Sequence, residues 1–236
     1  MEVNMSEIAS PLRFVILKCN KLYGDLICRQ IREFWTQAQG EVFQRGFDAL
    51  DAIQSCPPDI FITGVDVEDM DGLEHLEPFI ERTLPILIVT SRKNTRTCEL
   101  LRTVRYNGIF DDREEGLNNL QTAVHCVLEK QHYVSPSFAP HLKKPKDITL
   151  DSLTRMERMV LAVIGDGSDN NQAADRLRIA AATVKTHRRA IMAKLKMHQK
   201  GELMLYAFTH GYVQVTPKGV SQPGFERKIR ELVGDA

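Results

Sequence analysis

Residues 153–195, LTRMERMVLAVIGDGSDNNQAADRLRIAAATVKTHRRAIMAKL, decide how this chain is read. Local chemistry alone divides the run into helices. Thr154 followed by Glu157 is a capping box, in which two side chains satisfy backbone N–H groups orphaned at a helix start. It predicts a helix over 156–164, which Gly165 and Gly167 then stop. Asp169 followed by Gln172 is a second box and opens a helix over 170–177. A third helix covers 181–195 and a fourth 201–209. The short turn between the second and third has the form of a helix-turn-helix.

On a helical wheel of the third helix, Val184, Ile191 and Leu195 fall together and face a core. Ala182, Lys185, Thr186, Arg189 and Lys196 lie opposite. Long hydrogen-bond donors separated by small residues suit the major groove of double-stranded DNA, where Arg and Lys donate to the guanine O6 and N7 acceptors. Thr183, Arg188 and Lys194 flank that face and are expected to reach phosphates, which orient a protein without specifying sequence. Charge agrees. From 148 to 213 there are 10 Lys/Arg against 6 Asp/Glu, and no acidic residue stands between Asp175 and Glu202. Residues 1–140 carry 14 Lys/Arg against 21 Asp/Glu. A basic stripe on a chain of zero net charge is the footprint a polyanion needs.

Residues 150–213 resemble the LuxR-type (NarL/FixJ-like) DNA-binding domain. The landmarks are Leu153-Thr154, Glu157, Gly167 to Asn170, Ala174, Leu177, Thr183-Val184-Lys185, His187 and Lys194-Leu195. The resemblance implies that Lys185, Thr186 and Arg189 read base edges, and that residues 202–208 of the last helix pair two copies into a homodimer. One departure stands out. The family has Ser or Thr as the N-cap of the recognition helix, and here Ala180 is followed by Ala181 and Ala182. The missing cap costs on the order of 1 kcal/mol.

Upstream, 132–147 holds Pro136, Pro140 and Pro145 with no periodicity, which predicts a linker, bounded as 135–149. Before it, short apolar runs alternate with amphipathic stretches. Strands are expected at 13–18, 40–43, 59–63, 85–90 and 108–110, and helices at 22–37, 46–55, 72–81, 94–106 and 115–130. A βα unit taken five times implies a doubly wound α/β domain with a parallel sheet. The fold class expected for the whole chain is therefore that (βα)5 domain plus a small all-α four-helix domain. Beyond 213 the chain reads as loop up to Pro223, followed by a short docking helix with Phe225, Ile229, Leu232 and Val233 on one stripe.

Residues 12–134 resemble the receiver domain of a response regulator, on Pro58-Asp59, Met70-Asp71-Gly72-Leu73, Pro85, Thr90 and the strand spacing. Such a receiver needs two acidic residues after its first strand to hold Mg²⁺; here Lys18 and Cys19 stand there. It needs an aspartate nucleophile after the third strand; Gly64 occupies that position. Its lysine after the fifth strand is replaced by Asp112, or by Asp111 if the register slips by one. Thr90, the switch hydroxyl, is in place, while Ile109 replaces the usual aromatic partner. The resemblance therefore implies a pseudo-receiver without metal, cofactor or phosphoryl chemistry. Lys18 is expected to pair with Asp111 or Asp112 within about 6 Å, holding one conformation without phosphate. Asp66, Glu68, Asp69 and Asp71 read as a solvated acidic loop rather than a substitute nucleophile.

Five cysteines with no CxxC spacing point to reduced thiols in or near a core. No apolar run approaches the ~20 residues that cross a bilayer, and no secretory pattern opens the chain, so a cytoplasmic protein is expected. The function these features point to is a non-enzymatic, two-component-type transcription regulator. Its receiver serves dimerisation or senses a protein or small-molecule effector. Two alternatives are a conventionally phosphorylated switch and an interaction protein that titrates other regulators.

Overall fold

Where an apolar run is too short for a helix and is closed by Pro, Asp or Gly, burial on both faces makes it a central strand. That is the fate of RFVIL, IFIT and ILIV in a computed structural model of the chain, which describes residues 11–65, 67, 69–70, 73–79, 83–143, 152–216 and 219–222. By backbone contacts the chain divides into one unit of residues 1–92 and 101–143 and another of 93–100 and 144–236.

The first unit holds β1 (Arg13–Leu17), α1 (Lys21–Phe34), β2 (Gln39–Phe43), α2 (Gly46–Ser55), β3 (Ile60–Thr63), β4 (Ile86–Val89), β5 (Gly108–Phe110), α4 (Leu117–Leu128), β6 (Tyr133–Val134) and α5 (Ala139–Lys143). Between β4 and β5 the chain forms α3 (Thr95–Leu101). The sheet runs β2-β1-β3-β4-β5-β6 and every pair is parallel. Strand order reverses between β1 and β3, and in such sheets the functional crevice lies at the carboxyl ends of the strands near that point. Lys18, Gly64, Thr90 and Asp111 each follow directly on one of those ends. Phe14, Ile16, Ile60, Ile62 and Val89 of the sheet pack with Ile27, Ile31, Ala123, Val124 and Val127 of α1 and α4. Each large side chain buried this way contributes about 1.5–3 kcal/mol against exposure. Gly40 is fixed by that packing, because a Cβ there would lie 2.2 Å from the Phe14 ring.

Three expectations for this unit change. The helix expected over 72–81 is, in its described part, a 3-10 run at Glu74–Phe79 containing Pro78, which has no N–H for an α-helical bond. The first residues of the expected linker belong to the fold. Tyr133–Val134 add a sixth strand beside β5, Phe138 is fully buried, and Pro140 sits in the first turn of α5, where its missing N–H is not needed. Cys28 and Cys98 are buried as expected, whereas Cys19 and Cys56 are exposed.

In the second unit α6 (Arg155–Ile164), α7 (Asn170–Leu177), α8 (Ala181–Lys194) and α9 (Lys200–Thr209) enclose a core. Leu161 and Val163 of α6, Leu177 of α7, Val184 and Ile191 of α8 and Leu203 of α9 meet there with Tyr212. Both predicted capping boxes are formed, at Thr154/Glu157 and Asp169/Gln172. The expected loop after 213 is instead an antiparallel hairpin, β7 (Gln214–Thr216) with β8 (Gly219–Ser221); three-residue strands are too short to show alternation. The helix expected beyond Pro223 and the linker residues 144–149 lie outside the described residues. Among the described residues no helix is long and apolar enough to cross a membrane.

Candidate functional site

The turn into α8 is made by Arg178 in the left-handed conformation (φ 50°), which closes α7 by donating its N–H to the Ala174 and Asp175 carbonyls. Ala180 stands at the N-cap of α8 with extended backbone and no side-chain hydrogen bond, so the missing cap is real. From that start Thr183, Lys185, Thr186 and Arg189 project outward and are exposed, with Lys196 just past the helix end. The Thr186 hydroxyl donates to the Ala182 carbonyl at 3.0 Å. Lys185, Arg189 and Lys196 have no hydrogen-bond or ion-pair partner within the described residues. Val184 and Ile191 are fully buried and Leu195 is half-buried, as the wheel predicts.

Two of the basic residues expected to reach phosphates are already engaged. Arg188 is 9 % exposed and donates from Nη1 to Oδ1 of Asn170 at 3.1 Å, and burial pulls its pKa down. Lys194 donates to both carboxylate oxygens of Glu157, at 2.7 and 2.9 Å. Glu157 is buried and also accepts the Thr154 N–H at 2.6 Å. Burial alone raises its pKa. The Lys194 ammonium and the Thr154 donors outweigh that, and the carboxyl is held below its ordinary range. The wheel places Arg188 and Lys194 on the shoulder of the helix, and a long side chain on a shoulder folds inward when an acceptor waits on a neighbouring helix. Sequence gives the Thr154–Glu157 spacing but no sign that Glu157 also receives Lys194 from 37 residues away.

In the first unit the crevice at the carboxyl ends of the strands is closed by its own residues. Lys18, 8 % exposed, donates to the Val89 carbonyl at 3.0 Å and lies 3.4 Å from Oδ2 of Asp112. The expected ion pair therefore forms, and Asp112 rather than Asp111 is the partner. Its Nζ also stands 4.7 Å above the ring of Tyr23, a residue that sequence reasoning did not single out. Burial, then the neighbouring Asp112 carboxylate, raises the pKa of the Tyr23 phenol. Asp111 is fully buried and accepts from the Ser137 hydroxyl and the N–H groups of Arg113 and Glu114, so it caps its own turn.

Gly64 is buried and donates its N–H to the Leu17 carbonyl at 3.0 Å. The Thr90 hydroxyl accepts the Arg92 N–H at 3.1 Å. Cys19 is exposed, with its carbonyl bound by Gln44. Asp69 is no free loop acid: it accepts the N–H groups of Gly46 and Phe47 and so caps α2, with Arg45 3.7 Å away. Asp66, Glu68 and Asp71 lie outside the described residues. The crevice thus presents a cation, a glycine and an internally bound carboxylate where a phosphoryl-accepting site presents acids around a metal.

Comparisons with known proteins bear on the family and on the fold. The signature of the family described as "Bacterial regulatory proteins, luxR family" matches residues 151–207. The DNA-binding transcriptional activator EvgA of Escherichia coli (strain K12) is 32 % identical over 168 residues, covering 69 % of this chain and 80 % of that protein. The response regulator protein VraR of Staphylococcus epidermidis is 27 % identical over 188 residues, 76 % of this chain and 89 % of that one. Among solved structures, the RcsB response regulator of Salmonella typhimurium superposes with a TM-score of 0.55 at 16 % identity, covering 83 % of this chain and 98 % of that one. A structure of two RcsB dimers bound to two parallel DNAs gives 0.54 at 17 % identity, over 84 % and 98 %. At those identities the likeness to RcsB is one of fold.

Proposed function

Because the chain belongs to the luxR family of bacterial regulatory proteins, we propose that it is a transcription regulator that reads double-stranded DNA with α8 and needs no aspartyl phosphate. The observation that carries the DNA-binding reading is the division of the basic stripe. Lys185 and Arg189 are exposed and unengaged within the described residues, while buried Arg188 is bound to Asn170 and exposed Lys194 is paired with Glu157. Donors that stay free in the isolated chain are the ones available to guanine acceptors, with Thr186 between them. Thr183 and Lys196 flank them and meet phosphates.

The receiver-like unit supports the second half of the reading. A buried ammonium paired with Asp112 fills the place of the metal ligands and Gly64 that of the nucleophile, so the described residues offer no seat to Mg²⁺ or a phosphoryl group. Its remaining roles are pairing or sensing a protein or small-molecule effector. Met204, Leu205 and Phe208 expose apolar surface along α9 and suit a homodimer contact. Work on the chromosome places the protein in the cytoplasm.

The test combines two measurements on the purified, unmodified chain. Capture from fragmented genomic DNA without a phosphodonor is expected to enrich a few fragments carrying paired half-sites. Incubation with acetyl phosphate and Mg²⁺ is expected to leave the intact mass unchanged. A folded protein that enriches nothing points instead to a titrating interaction protein, a reading the uncapped Ala180 favours. A gain of one phosphoryl mass overturns the phosphate-independent mechanism.

A further inference from the structure

We infer that Arg188 is a positioning residue of the DNA-reading unit: through Asn170 it sets the seat of α8 on α7 and contacts no phosphate. This rests on the reading of α8 as the DNA-reading helix and goes beyond it, since charge and helical position alone assign Arg188 to the DNA backbone.

Arg188 is nine-tenths buried, and its Nη1 reaches Oδ1 of Asn170 at 3.1 Å. Asn170 is the first residue of α7, and Asp169 fixes that turn by accepting the N–H groups of Asn171 and Gln172 at 2.7 and 2.9 Å. The acceptor is therefore on a rigid turn rather than a loose loop. The bond ties the first helix of the helix-turn-helix to the middle of the second, one residue before exposed Arg189 and three after exposed Lys185. A second fastening, Lys194 on Glu157, holds the carboxyl end of α8 to α6. Pinned at two points six residues apart, α8 cannot roll about its axis or tilt without breaking one of them. Roll and tilt are the motions that would carry Lys185 and Arg189 off their base edges, because direct readout tolerates little displacement.

The Nε of Arg188 is buried without a hydrogen-bond partner among the described residues. A guanidinium drawn inward at that expense is acting on the interior of the unit. A phosphate ligand instead keeps its donors at the surface, where the backbone of the duplex passes.

The two assignments differ in salt dependence. A phosphate contact contributes about 0.9 to the slope of log affinity against log salt concentration, whereas a positioning residue contributes nothing to it. The probes are a duplex selected by the full chain from a randomised pool and a random-sequence duplex of equal length. Arg188→Met keeps the length and packing of the side chain but removes its donors, and Asn170→Ala removes the acceptor without changing charge. Each is expected to weaken binding to the selected duplex about tenfold, as for loss of one charge-assisted hydrogen bond. Binding to the random duplex and the salt slope stay at wild-type values, and the double variant is no weaker than either single one.

A slope flattened by about 0.9 in Arg188→Met, with both duplexes weakened alike, overturns the inference and returns Arg188 to the phosphates. Unchanged affinity for the selected duplex overturns it as well. If Arg188→Met does not fold by circular dichroism, Asn170→Ala, on the partly exposed first turn of α7, decides by the same two readouts. A wild-type chain that selects no duplex from the pool removes the DNA-binding reading itself, and the inference falls with it. Wild-type binding with a changed slope removes the inference alone.

Discussion

The ammonium of Lys18 lies 3.4 Å from the carboxylate of Asp112, and both side chains are largely closed to solvent, at 10 % and 16 % exposure. The pair joins the end of β1 to the end of β5 across the crevice of the sheet, with the Val89 carbonyl of β4 as a further acceptor at 3.0 Å. Relative to the receiver pattern the charges are exchanged, a cation on the β1 side and a carboxylate on the β5 side. In a conventional site the β5 cation and the β1 acids are bridged through metal and phosphate. Here the two sides close directly on each other.

Removing one partner leaves the other buried and uncompensated. Lys18→Met or Asp112→Asn is expected to destabilise the receiver-like unit by about 2–4 kcal/mol, somewhat below a fully buried pair because both tips retain some exposure. The double variant is expected to lose less than the sum of the two, by about 1 kcal/mol or more. Urea unfolding followed through Trp35, the single tryptophan of the chain, checks this. Strictly additive losses would mean that the two groups do not sense each other.

On α8 the exposed donors make a sharper prediction about sequence. Lys185→Ala and Arg189→Ala are each expected to cost about 1–3 kcal/mol on a selected duplex and to relax preference at one base position. Selection from a randomised pool, repeated with each variant, reads this directly. An unchanged selected sequence would move the residue from base reading to the backbone.

Ala180 offers a gain rather than a loss. Its backbone is already in the extended N-cap conformation (φ −67°, ψ 143°), and only the side-chain acceptor is missing. Ala180→Ser is expected to stabilise the helix-turn-helix unit by about 1 kcal/mol, seen as a higher calorimetric transition. No change in that transition would show that water or a neighbour already satisfies the first N–H groups of α8.

How much of this was legible in the sequence varied with the range of the interaction. The capping boxes and stop glycines around α6 and α7 are local, so the helix-turn-helix was readable almost to the residue. The Lys18–Asp112 pair was readable because the resemblance to receivers supplied the strand ends, although sequence left Asp111 and Asp112 open and did not identify Tyr23. The inward bonds of Arg188 and Lys194 were not legible because their acceptors, Asn170 and Glu157, come from other helices, and a wheel knows only its own axis. The 3-10 run at Glu74–Phe79 and the strand Tyr133–Val134 were missed because so few residues carry no periodicity.

The Glu157 clasp makes the helix-turn-helix unit acid-sensitive in a defined window. Burial raises the Glu157 pKa, but Lys194 and Thr154 together bring it below the ordinary value of 4.5. A carboxyl with a depressed folded pKa contributes stability that is present above the unfolded value and lost as pH falls through the folded one. Glu157→Gln is therefore expected to be less stable than wild type at pH 7, by about 2 kcal/mol for the lost charge-assisted bonds. That difference should shrink below pH 4.5. Calorimetry across that range checks both, and a gap independent of pH would exclude the clasp as its source.

In the receiver-like unit a different group governs a higher window. His75 is fully buried and shares a hydrogen bond of 2.8 Å with the Thr63 hydroxyl, while its Nδ1 is buried without a hydrogen-bond partner among the described residues. Burial lowers its pKa from 6.5 to about 3, only partly offset by the charge of Asp69. The unfolded chain therefore takes up a proton below about pH 6.5 that the folded chain refuses, and folding loses up to about 1.4 kcal/mol for each pH unit of further fall. Between pH 6.5 and 5 ordinary carboxylates are still ionised, so this histidine dominates the slope. Unfolding followed through Trp35 is expected to show the wild-type unit weakening across that interval. His75→Leu, with nothing there to protonate, should show a nearly flat line. Equal slopes in the two proteins would mean that the ring is protonated in the folded state after all, with water reaching Nδ1.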